Sequence, residues 1–319
     1  MTTTDRRRDG RWSSRGLTGL RAAAAAAAIT AVTGLGALTY ANQVGLKKFT
    51  LRRVSVPVAG VPTSLRILHI SDIHYVPGQQ EKFRWLQELA ELQPDLVINT
   101  GDNLSHHRAV PEVLEALAPL REFPGAFVPG SNDYYAPKLK NPLRYLLGPS
   151  TLDPEAQVLP TDALFGGFES LGWANLSNAH AAVRINGLSL HLSGVDDPHI
   201  GRDEFTGWPE TADRSQTPDL RIAVAHAPVL RVLETFVDAR ADLVLAGHTH
   251  GGQVCLPGER AIVTNCDLPR RYAKGLHYRR GSHGENIAVH VSAGIGTSAK
   301  APIRLNCPPE ATLLEITPA

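Results

Sequence analysis

Two histidines separated by one residue follow directly on the short apolar run 243–246. The run predicts a buried strand, and the glycines before His248 and after His250 predict that a loop begins where the strand ends. If the extended geometry persists as far as His250, the two imidazoles point to the same side, because side chains two residues apart share a face. Imidazole commonly binds transition metals, so the pair indicates a metal site, although an isolated pair is also typical of solvated loop histidines.

Four further blocks of polar residues strengthen the metal interpretation, because each of them also follows directly on a short apolar run. They are Asp72 with His74, Asp102 after Gly101, the loop Gly130-Ser131-Asn132-Asp133, and His226 after Ala225. Carboxylates, imidazoles and amides supply the oxygen and nitrogen atoms that bind manganese, iron and zinc. The recurrence of one pattern at five places indicates a shared site.

The order of elements in the first half of the chain predicts an α/β sheet. Apolar runs at 65–71, 96–99 and 125–128 predict strands, and helical spacing in 83–92 and 111–120 predicts the helices between them. A β-α-β-α-β order is typical of a sheet that presents its ligands at the ends of its strands.

The second half is richer in strands, and one region interrupts the pattern. Residues 134–175, with five prolines, are predicted to be an insertion with a short helix near 143–147 that could cover the site. A first strand is predicted at 49–58, broken by Pro57. Two sheets face to face with helices outside accommodate these strands, which gives a four-layer α/β/β/α sandwich. The remaining predicted elements are a helix at 229–239 and strands at 181–185, 188–193, 220–225, 242–246, 253–256, 261–264, 287–292 and 312–316.

The composition narrows the class of protein. A chain of 319 residues, 43% of them hydrophobic, can bury a large core, and a net charge of +1 gives no indication of a nucleic-acid surface. No protein partner is predicted. Cys255, Cys266 and Cys307 are widely spaced and odd in number, so they form no disulfide framework. Buried thiols are favoured, and one bridge remains open outside the cytoplasm.

Residues 22–41 are a run of twenty uncharged residues near the N-terminus. As a helix the run is about 30 Å long, the thickness of the hydrocarbon core of a bilayer, so we predict a single-pass membrane anchor. The alternatives are a signal peptide cleaved after Ala41, followed by export, and a soluble amphipathic helix. Six arginines precede the run and four basic residues follow it, which favours a cytoplasmic N-terminus and an extracytoplasmic domain. The predicted organisation is a basic segment 1–21, an anchor 22–41, a linker with the first strand 42–62, and a metal-binding domain 63–319.

The candidate ligands are too many for one ion. A zinc ion takes four ligands and the set has seven members, so two ions are the economical interpretation. Asp102 could bridge them, because two-metal hydrolases hold their ions about 3.5–4 Å apart and a carboxylate has two oxygens. Such a pair binds phosphate and lowers the pKa of a shared water, so that hydroxide attacks in line. The set consists of Asp72, His74, Asp102, an amide from the 130–133 loop, His226, His248 and His250.

In this order and at these intervals, the five blocks resemble the calcineurin-like metallophosphoesterases over roughly residues 66–317. The stretches 251–253, 292–297 and 302–304 are similar to those of membrane-anchored or exported bacterial phosphodiesterases. The resemblance implies the four-layer sandwich and a dinuclear site. It implies that Asp72, His74 and His250 hold one ion, that His226, His248 and the loop amide hold the other, and that Asp102 lies between them.

The loop 130–133 departs from the family's usual Gly-Asn-His-Asp, in which the asparagine is a ligand and the histidine is a proton donor or phosphate contact. Strict register puts Ser131 at the ligand position, whereas a shift by one residue lets Asn132 keep it. We favour Asn132, because an amide carbonyl is the better ligand. The histidine is absent in either register, so leaving-group protonation, typically worth ~10²–10⁴-fold, must come from elsewhere. His106 and His107 are candidates, and the pair is equally typical of an exposed loop.

The resemblance implies hydrolysis of a phosphate ester by attack of metal-bound hydroxide. A phosphodiester is expected rather than a monoester, on the branch resemblance alone. The anchor favours a membrane or envelope substrate, such as a phospholipid head group or a cell-wall phosphodiester, while a soluble nucleotide remains open. Asp196 and Asp197, which follow the strand 188–193, could shape the substrate cleft or cap a turn. The alternatives are an inert metal-binding envelope protein and a nucleotide or protein phosphatase.

Overall fold

The computed structural model describes residues 14–137, 155–210, 217–282, 284–297 and 301–319, so the short helix predicted near 143–147 lies outside the described residues. The first element is the helix α1 (Ser14–Gln43), which leads into a 3₁₀ turn, Gly45–Lys47. Residues 21–47 are long and apolar enough to cross a membrane, by length and composition, and the most apolar window is 0% buried against the rest of the chain. The protein therefore has one candidate spanning helix in the described part of the chain.

The first sheet contains six strands: β1 (Thr50–Val58), β2 (Leu65–Ile70), β3 (Leu96–Asn99), β4 (Gly125–Phe127), β5 (Trp173–Asn175) and β14 (Glu310–Pro318). Their order is β1-β14-β2-β3-β4-β5, and β2 to β5 are parallel. The predicted break at Pro57 is wrong, because β1 continues to Val58. A residue without an N–H is tolerated there, since β1 is an edge strand.

The second sheet also contains six strands: β6 (Ala179–Ile185), β7 (Leu188–Gly194), β8 (Leu220–Val224), β9 (Leu243–Ala246), β12 (Gly275–Arg280) and β13 (Asn286–Val291). Their order is β12-β13-β9-β8-β7-β6. The four central strands are parallel, and β6 and β12 run antiparallel at the two edges. A separate two-stranded ribbon consists of β10 (Cys255–Leu256) and β11 (Arg260–Ala261).

Apolar packing joins the two sheets and their helices into four layers. Side chains such as Ile67 and Leu243 pack between the sheets, where both are fully buried. Phe127 packs on the outer face of the first sheet, and Val244 packs with Phe236 on the outer face of the second. The α/β/β/α sandwich is thus confirmed. The helices outside the first sheet are α2 (Gln80–Glu88), α3 (Val110–Leu117) and α5 (Thr161–Ser170), α6 (Leu230–Asp238) covers the second sheet, and α4 (Ser131–Tyr134) is a single turn.

The predicted insertion at 134–175 is wrong in its second part, because α5 and β5 belong to the sandwich. Phe168 and Trp173 are 0% and 2% exposed, so this segment is part of the core. The prolines of the region end at Pro160, just before α5 begins, and the apolar residues after it form ordinary elements. The strands predicted at 253–256 and 261–264 shorten to the two-residue β10 and β11.

The three cysteines are free, in agreement with the favoured prediction. Cys255 and Cys307 are buried, and Cys266 is half-buried. The thiols of Cys255 and Cys307 both lie near the carbonyl oxygen of Gly251, at 3.1 and 3.5 Å. They fill a small apolar cluster with Ala293 behind the loop that carries His250. Packing is therefore the role that the structure gives to these two residues.

Candidate metal centre

Each of the five blocks lies just beyond the carboxyl end of a parallel strand. The carboxyl edge of parallel strands is where α/β proteins place their binding sites, because the loops there converge. The structure brings all seven candidate ligands to this edge. Asp72 and His74 follow β2, Asp102 follows β3, Asn132 follows β4, His226 follows β8, and His248 and His250 follow β9.

Asp72, His74 and His250 form the first candidate ligand group. The Nε2 atoms of the two imidazoles are 3.2 Å apart, and Oδ1 of Asp72 is 3.6 Å from Nε2 of His250 and 4.0 Å from Nε2 of His74. This Oδ1 is buried and accepts no hydrogen bond within the described part of the chain. A buried carboxylate oxygen is costly unless it is paired, and a cation among these three residues would pair it.

Asp102 lies between that group and a second one. Its Oδ2 is 3.4 Å from Nε2 of His74 and 3.5 Å from Nε2 of His226. The Nδ1 atom of His248 is 3.3 Å from the same nitrogen of His226. Asp72, Asp102 and His226 also lie close enough together to share an ion. The arrangement can therefore hold two cations with Asp102 between them.

The four imidazoles share one orientation. Each has one ring nitrogen on a hydrogen-bond partner outside the cluster, and the other nitrogen faces the cluster. Where that partner is a carbonyl oxygen, which can only accept, the nitrogen beside it carries the proton, so the inner nitrogen of a neutral ring keeps its lone pair. Metal-binding histidines are typically held in this way. The outer contacts are His74 Nδ1 to Ser105 Oγ (3.1 Å), His226 Nδ1 to Thr100 O (2.7 Å), His248 Nε2 to Asn265 O (3.2 Å) and His250 Nδ1 to Gly296 O (3.2 Å).

The electrostatics of the cluster favour bound cations. Burial lowers the pKa of His74 to about 4 and holds the pKa values of His248 and His250 well below the usual value, so these rings are neutral, as ligands must be. Burial, with the charge of Asp102, raises the pKa of Asp72 to about 6. Burial also lowers the pKa of His226, but the carboxylates around it, Asp102 first, outweigh this effect and raise it. Without cations, one imidazole must therefore balance the buried carboxylates.

Two glycines allow the loops to approach the carboxylates closely. A Cβ on Gly130 would lie 2.3 Å from Oδ1 of Asp102 and 2.8 Å from the ring of His226. A Cβ on Gly247 would lie 2.6 Å from Oδ2 of Asp72. Any larger residue would displace the ligands, which explains the glycine before each of these polar blocks.

The backbone of the ligand loops is left-handed rather than extended. His248 and His250 have φ values of 68° and 50°. The expectation that their side chains share a face is therefore wrong, because the strand geometry ends at Ala246. His248 faces His226, and His250 faces His74. Positive φ values also occur at Asp72 (50°), His74 (45°) and Asp102 (56°).

The 130–133 loop contacts Asp102 through Asn132. The Nδ2 atom of Asn132 is 2.8 Å from Oδ2 of Asp102, whereas Oγ of Ser131 lies 3.4 Å from that same Nδ2. Asp133 is buried, and its carboxylate accepts from the backbone amides of Asp102, Asn103 and Gly130 at 2.9, 2.7 and 3.0 Å. Asp133 thus fixes the loop after β4 to the loop after β3.

His106 and His107 lie apart from the cluster. Their rings stack on each other with centroids 4.4 Å apart, and His106 Nδ1 accepts from the amide of Arg108 at 3.1 Å. His106 is half-buried and His107 is exposed. Within the described residues, neither ring contacts any of the seven candidate ligands.

His199 is the histidine that the sequence reasoning missed. Its half-buried ring lies against that of His248, with centroids 4.5 Å apart. Its amide donates to Oδ1 of Asp197 at 2.9 Å, so Asp197 caps the turn, while Asp196 accepts from the hydroxyl of Tyr134 at 2.9 Å. The sequence did contain a signal for His199, because its turn follows β7, and β7 is the neighbour of the strand that precedes His226.

An α/β/β/α sandwich that delivers aspartates and histidines to one edge defines the class of metal-dependent phosphoesterases. The family model of the calcineurin-like phosphoesterases matches residues 65–252, and the chain belongs to this family. The resemblance stated from the sequence is thereby confirmed.

Several relatives are similar over most of the chain. An uncharacterized metallophosphoesterase of Bacillus subtilis, YkoQ, is 27% identical over 81% of this chain and 86% of its own length. The phosphodiesterase YaeI of Escherichia coli is 30% identical over 52% of this chain and 61% of its own length. A bovine transmembrane protein with a metallophosphoesterase domain is 28% identical over 82% of this chain. The match covers 55% of the length of that protein.

Proposed function

We propose that the protein is a dinuclear-metal phosphoesterase that hydrolyses a phosphodiester. The observation that carries the proposal is the position of the Asp102 carboxylate, 3.4 and 3.5 Å from imidazole nitrogens of two different groups. Manganese, iron and zinc all suit carboxylate, imidazole and amide ligands. The proposed ligands are Asp72, His74 and His250 for one ion, His226, His248 and Asn132 for the other, and Asp102 for both.

When bound, two such cations neutralise charge on a phosphate and lower the pKa of a water molecule toward neutrality. The chain itself holds the ligands still. Asp133 ties two ligand loops together, and hydrogen bonds to backbone carbonyl oxygens orient the rings of His226, His248 and His250. Preference for a diester rests on similarity to a relative that is named as a phosphodiesterase.

His199 is proposed to replace the histidine that the 130–133 loop lacks. Its ring lies against that of His248, a proposed ligand, and is half-buried, so it can reach a phosphate oxygen of the substrate from the open side. There it would donate a hydrogen bond to that oxygen or to the leaving oxygen. His106 and His107 are the weaker candidates, because their ring contacts lie within their own loop.

The helix α1 is proposed to be a membrane anchor, with the catalytic domain on the extracytoplasmic side. Its apolar side chains are exposed, Ile29 by 67% and Val32 by 72%, which is unfavourable in water and favourable in lipid. A relative is named as a transmembrane protein. The division into the segments 1–21, 22–41, 42–62 and 63–319 belongs to this proposal.

The proposal is tested with the full chain, purified in detergent and loaded with Mn²⁺. We expect about two ions per chain and hydrolysis of bis(p-nitrophenyl) phosphate. Asp102→Ala should lower kcat/KM by at least ~10²-fold and leave fewer ions bound. Asp238→Ala, at the exposed end of α6, is the matched control and should change neither quantity.

The same measurements separate the alternatives. Two bound ions without turnover on any ester would support an inert metal-binding protein. Faster hydrolysis of p-nitrophenyl phosphate, a mononucleotide or a phosphopeptide than of the diester would support a phosphatase. A chain that binds no ions, with Asp102 intact, would contradict the proposal.

A further inference from the structure

A cavity of about 390 Å³ lies beside the metal centre and the end of helix α1. Its lining includes His74, a proposed ligand, and also Asn42 and Leu46 from the helix end and the turn after it. Val76 and Gly296 line it as well. The cavity is open to solvent and is at the small end of the range for ligand sites, so it fits a head group and its linker rather than long acyl chains.

The end of α1 is fixed to the metal centre through Arg304. The backbone amide of Arg304 donates to the carbonyl oxygen of Ala41 at 3.0 Å. Its buried guanidinium donates to the carbonyl oxygens of His250 at 3.2 Å and of Gly296 at 2.6 Å. One residue thus joins the helix end to a ligand loop, so the cavity between them has a defined orientation relative to the helix.

Two close contacts strengthen this attachment. The side-chain amide of Asn42 donates to the carbonyl oxygen of Pro302 at 2.6 Å. A Cβ on Gly45 would lie 2.0 Å from the carbonyl oxygen of Arg304, so the turn after α1 is packed directly on this segment. The contacts leave no flexible linker between the helix and the catalytic domain.

Lys47, the last residue of the candidate spanning segment 21–47, also lines the cavity. Lysines at the ends of spanning helices sit among lipid head groups. Lys47 pairs with Glu81, another lining residue, at 3.2 Å, and Leu46 and Val76 add apolar lining. A helix placed in a bilayer therefore brings this part of the cavity lining to the head-group layer.

We infer that the substrate is a membrane phospholipid. The head group and its linker enter this cavity from the bilayer, and the phosphodiester reaches the metal centre. The inference rests on the proposed function and specifies its substrate class. Hydrolysis breaks the P–O bond to the leaving oxygen and forms a P–O bond from water. One proton of the water ends on the leaving oxygen, so the products are a phosphomonoester and an alcohol. The acyl chains stay in the bilayer throughout.

The test compares lipids with their deacylated counterparts. The Mn²⁺-loaded full chain is reconstituted in vesicles of phosphatidylglycerol, phosphatidylethanolamine and cardiolipin, and the soluble deacylated diesters are assayed beside them. We expect at least one lipid to be hydrolysed more than tenfold faster than its deacylated counterpart. Leu46→Trp, which narrows the cavity, should lower that ratio at least tenfold. Val158→Trp introduces the same side chain at a residue that is 71% exposed and does not line the cavity, and should keep the ratio.

A second readout needs neither metal nor turnover. Photoreactive phosphatidylglycerol in the same vesicles should label residues of the cavity in the metal-free protein, and Leu46→Trp should abolish the labelling. Leu46→Ala, which widens the cavity, should retain it and so show that the added bulk, not the loss of leucine, is the cause. Equal rates on lipids and deacylated diesters, or labelling confined to the exposed face of α1, would overturn the inference. No hydrolysis of bis(p-nitrophenyl) phosphate, with the cavity labelled, would instead contradict the proposed function.

Discussion

Asn132 contacts both carboxylate oxygens of Asp102, through its side-chain amide at 2.8 Å and its backbone amide at 2.7 Å. The loop after β4 is therefore built onto the residue that is proposed to lie between two cations. The neighbouring hydroxyl of Ser131 has no such contact with Asp102 within the described residues. This asymmetry decides which of the two residues to test as the ligand.

Asn132→Ala should reduce the bound metal from about two ions per chain to about one, because the second group loses its amide oxygen. Ser131→Ala should keep both ions and serves as the matched control. Elemental analysis after dialysis measures the stoichiometry. Loss of an ion from Ser131→Ala and not from Asn132→Ala would show that Ser131 is the ligand, as the strict register of the family's motif puts it.

His199→Ala should lower kcat/KM for the diester by about 10- to 100-fold, which is the effect of losing a hydrogen bond to a charged group. The metal content should stay unchanged, because His199 is not among the proposed ligands. His199→Gln keeps a donor and should recover part of the rate. The loss should be larger for esters with a poor leaving group than for p-nitrophenyl esters.

His106→Ala and His107→Ala provide the comparison for that experiment. Both residues lie outside the cluster, so each variant should stay within about twofold of the unmodified protein, close to the small effect of most surface substitutions. A tenfold loss in either variant, with His199→Ala unaffected, would show that one of this pair, and not His199, takes the role of the missing histidine.

Arg304→Met should lower the free energy of unfolding by at least ~3 kcal/mol, because it leaves buried carbonyl oxygens without a donor. The guanidinium donates to five backbone carbonyls, those of His250, Ala293, Gly294, Gly296 and Cys307. Arg53→Met is the control, since its ion pair with Glu315 is exposed and contributes ~0–1 kcal/mol. Urea unfolding of the metal-free protein measures both, and equal values would refute the structural role of Arg304.

Lys82 should make stability depend on pH. Burial, together with the charge of Arg304, lowers its pKa from 10.5 to about 7. Between these two values the unfolded chain binds a proton on Lys82 that the folded chain does not, so the contribution of Lys82 to the free energy of unfolding should rise from pH 7 to pH 9. Lys82→Met should remove that rise in urea titrations of the metal-free protein. The exposed Lys48→Met should retain it.

The sequence predicted those parts of the fold in which apolar runs are short and clearly bounded. Strands β2, β3 and β9 were identified in this way, and each is buried along nearly all of its length. Strand β12 was not identified, because it is an edge strand in which exposed residues, Tyr278 and Arg280, alternate with half-buried ones. Edge strands lack the continuous apolar run that marks a buried strand.

The sequence predicted that the candidate ligands converge, and it did not predict their geometry. Spacing along the chain identified the seven candidate ligands, because they directly follow buried strands. The directions in which His248 and His250 point depend on left-handed backbone angles. Residue types other than glycine rarely adopt these angles, so no sequence pattern predicts the angles. His199 was missed because the motif comparison concerned the 130–133 loop, whereas the side chain that we propose as the replacement comes from another strand end.

The positive φ values of Asp72, His74, Asp102, His248 and His250 have a consequence for the history of such a chain. Each disfavours the native turn by about 1–2 kcal/mol relative to a residue without a Cβ, so selection for ease of folding alone would replace all five with glycine. Relatives that have stopped using cations should accumulate glycine at these positions while keeping the sandwich. Retained aspartate and histidine at such turns would then mark the members that still work on phosphate esters.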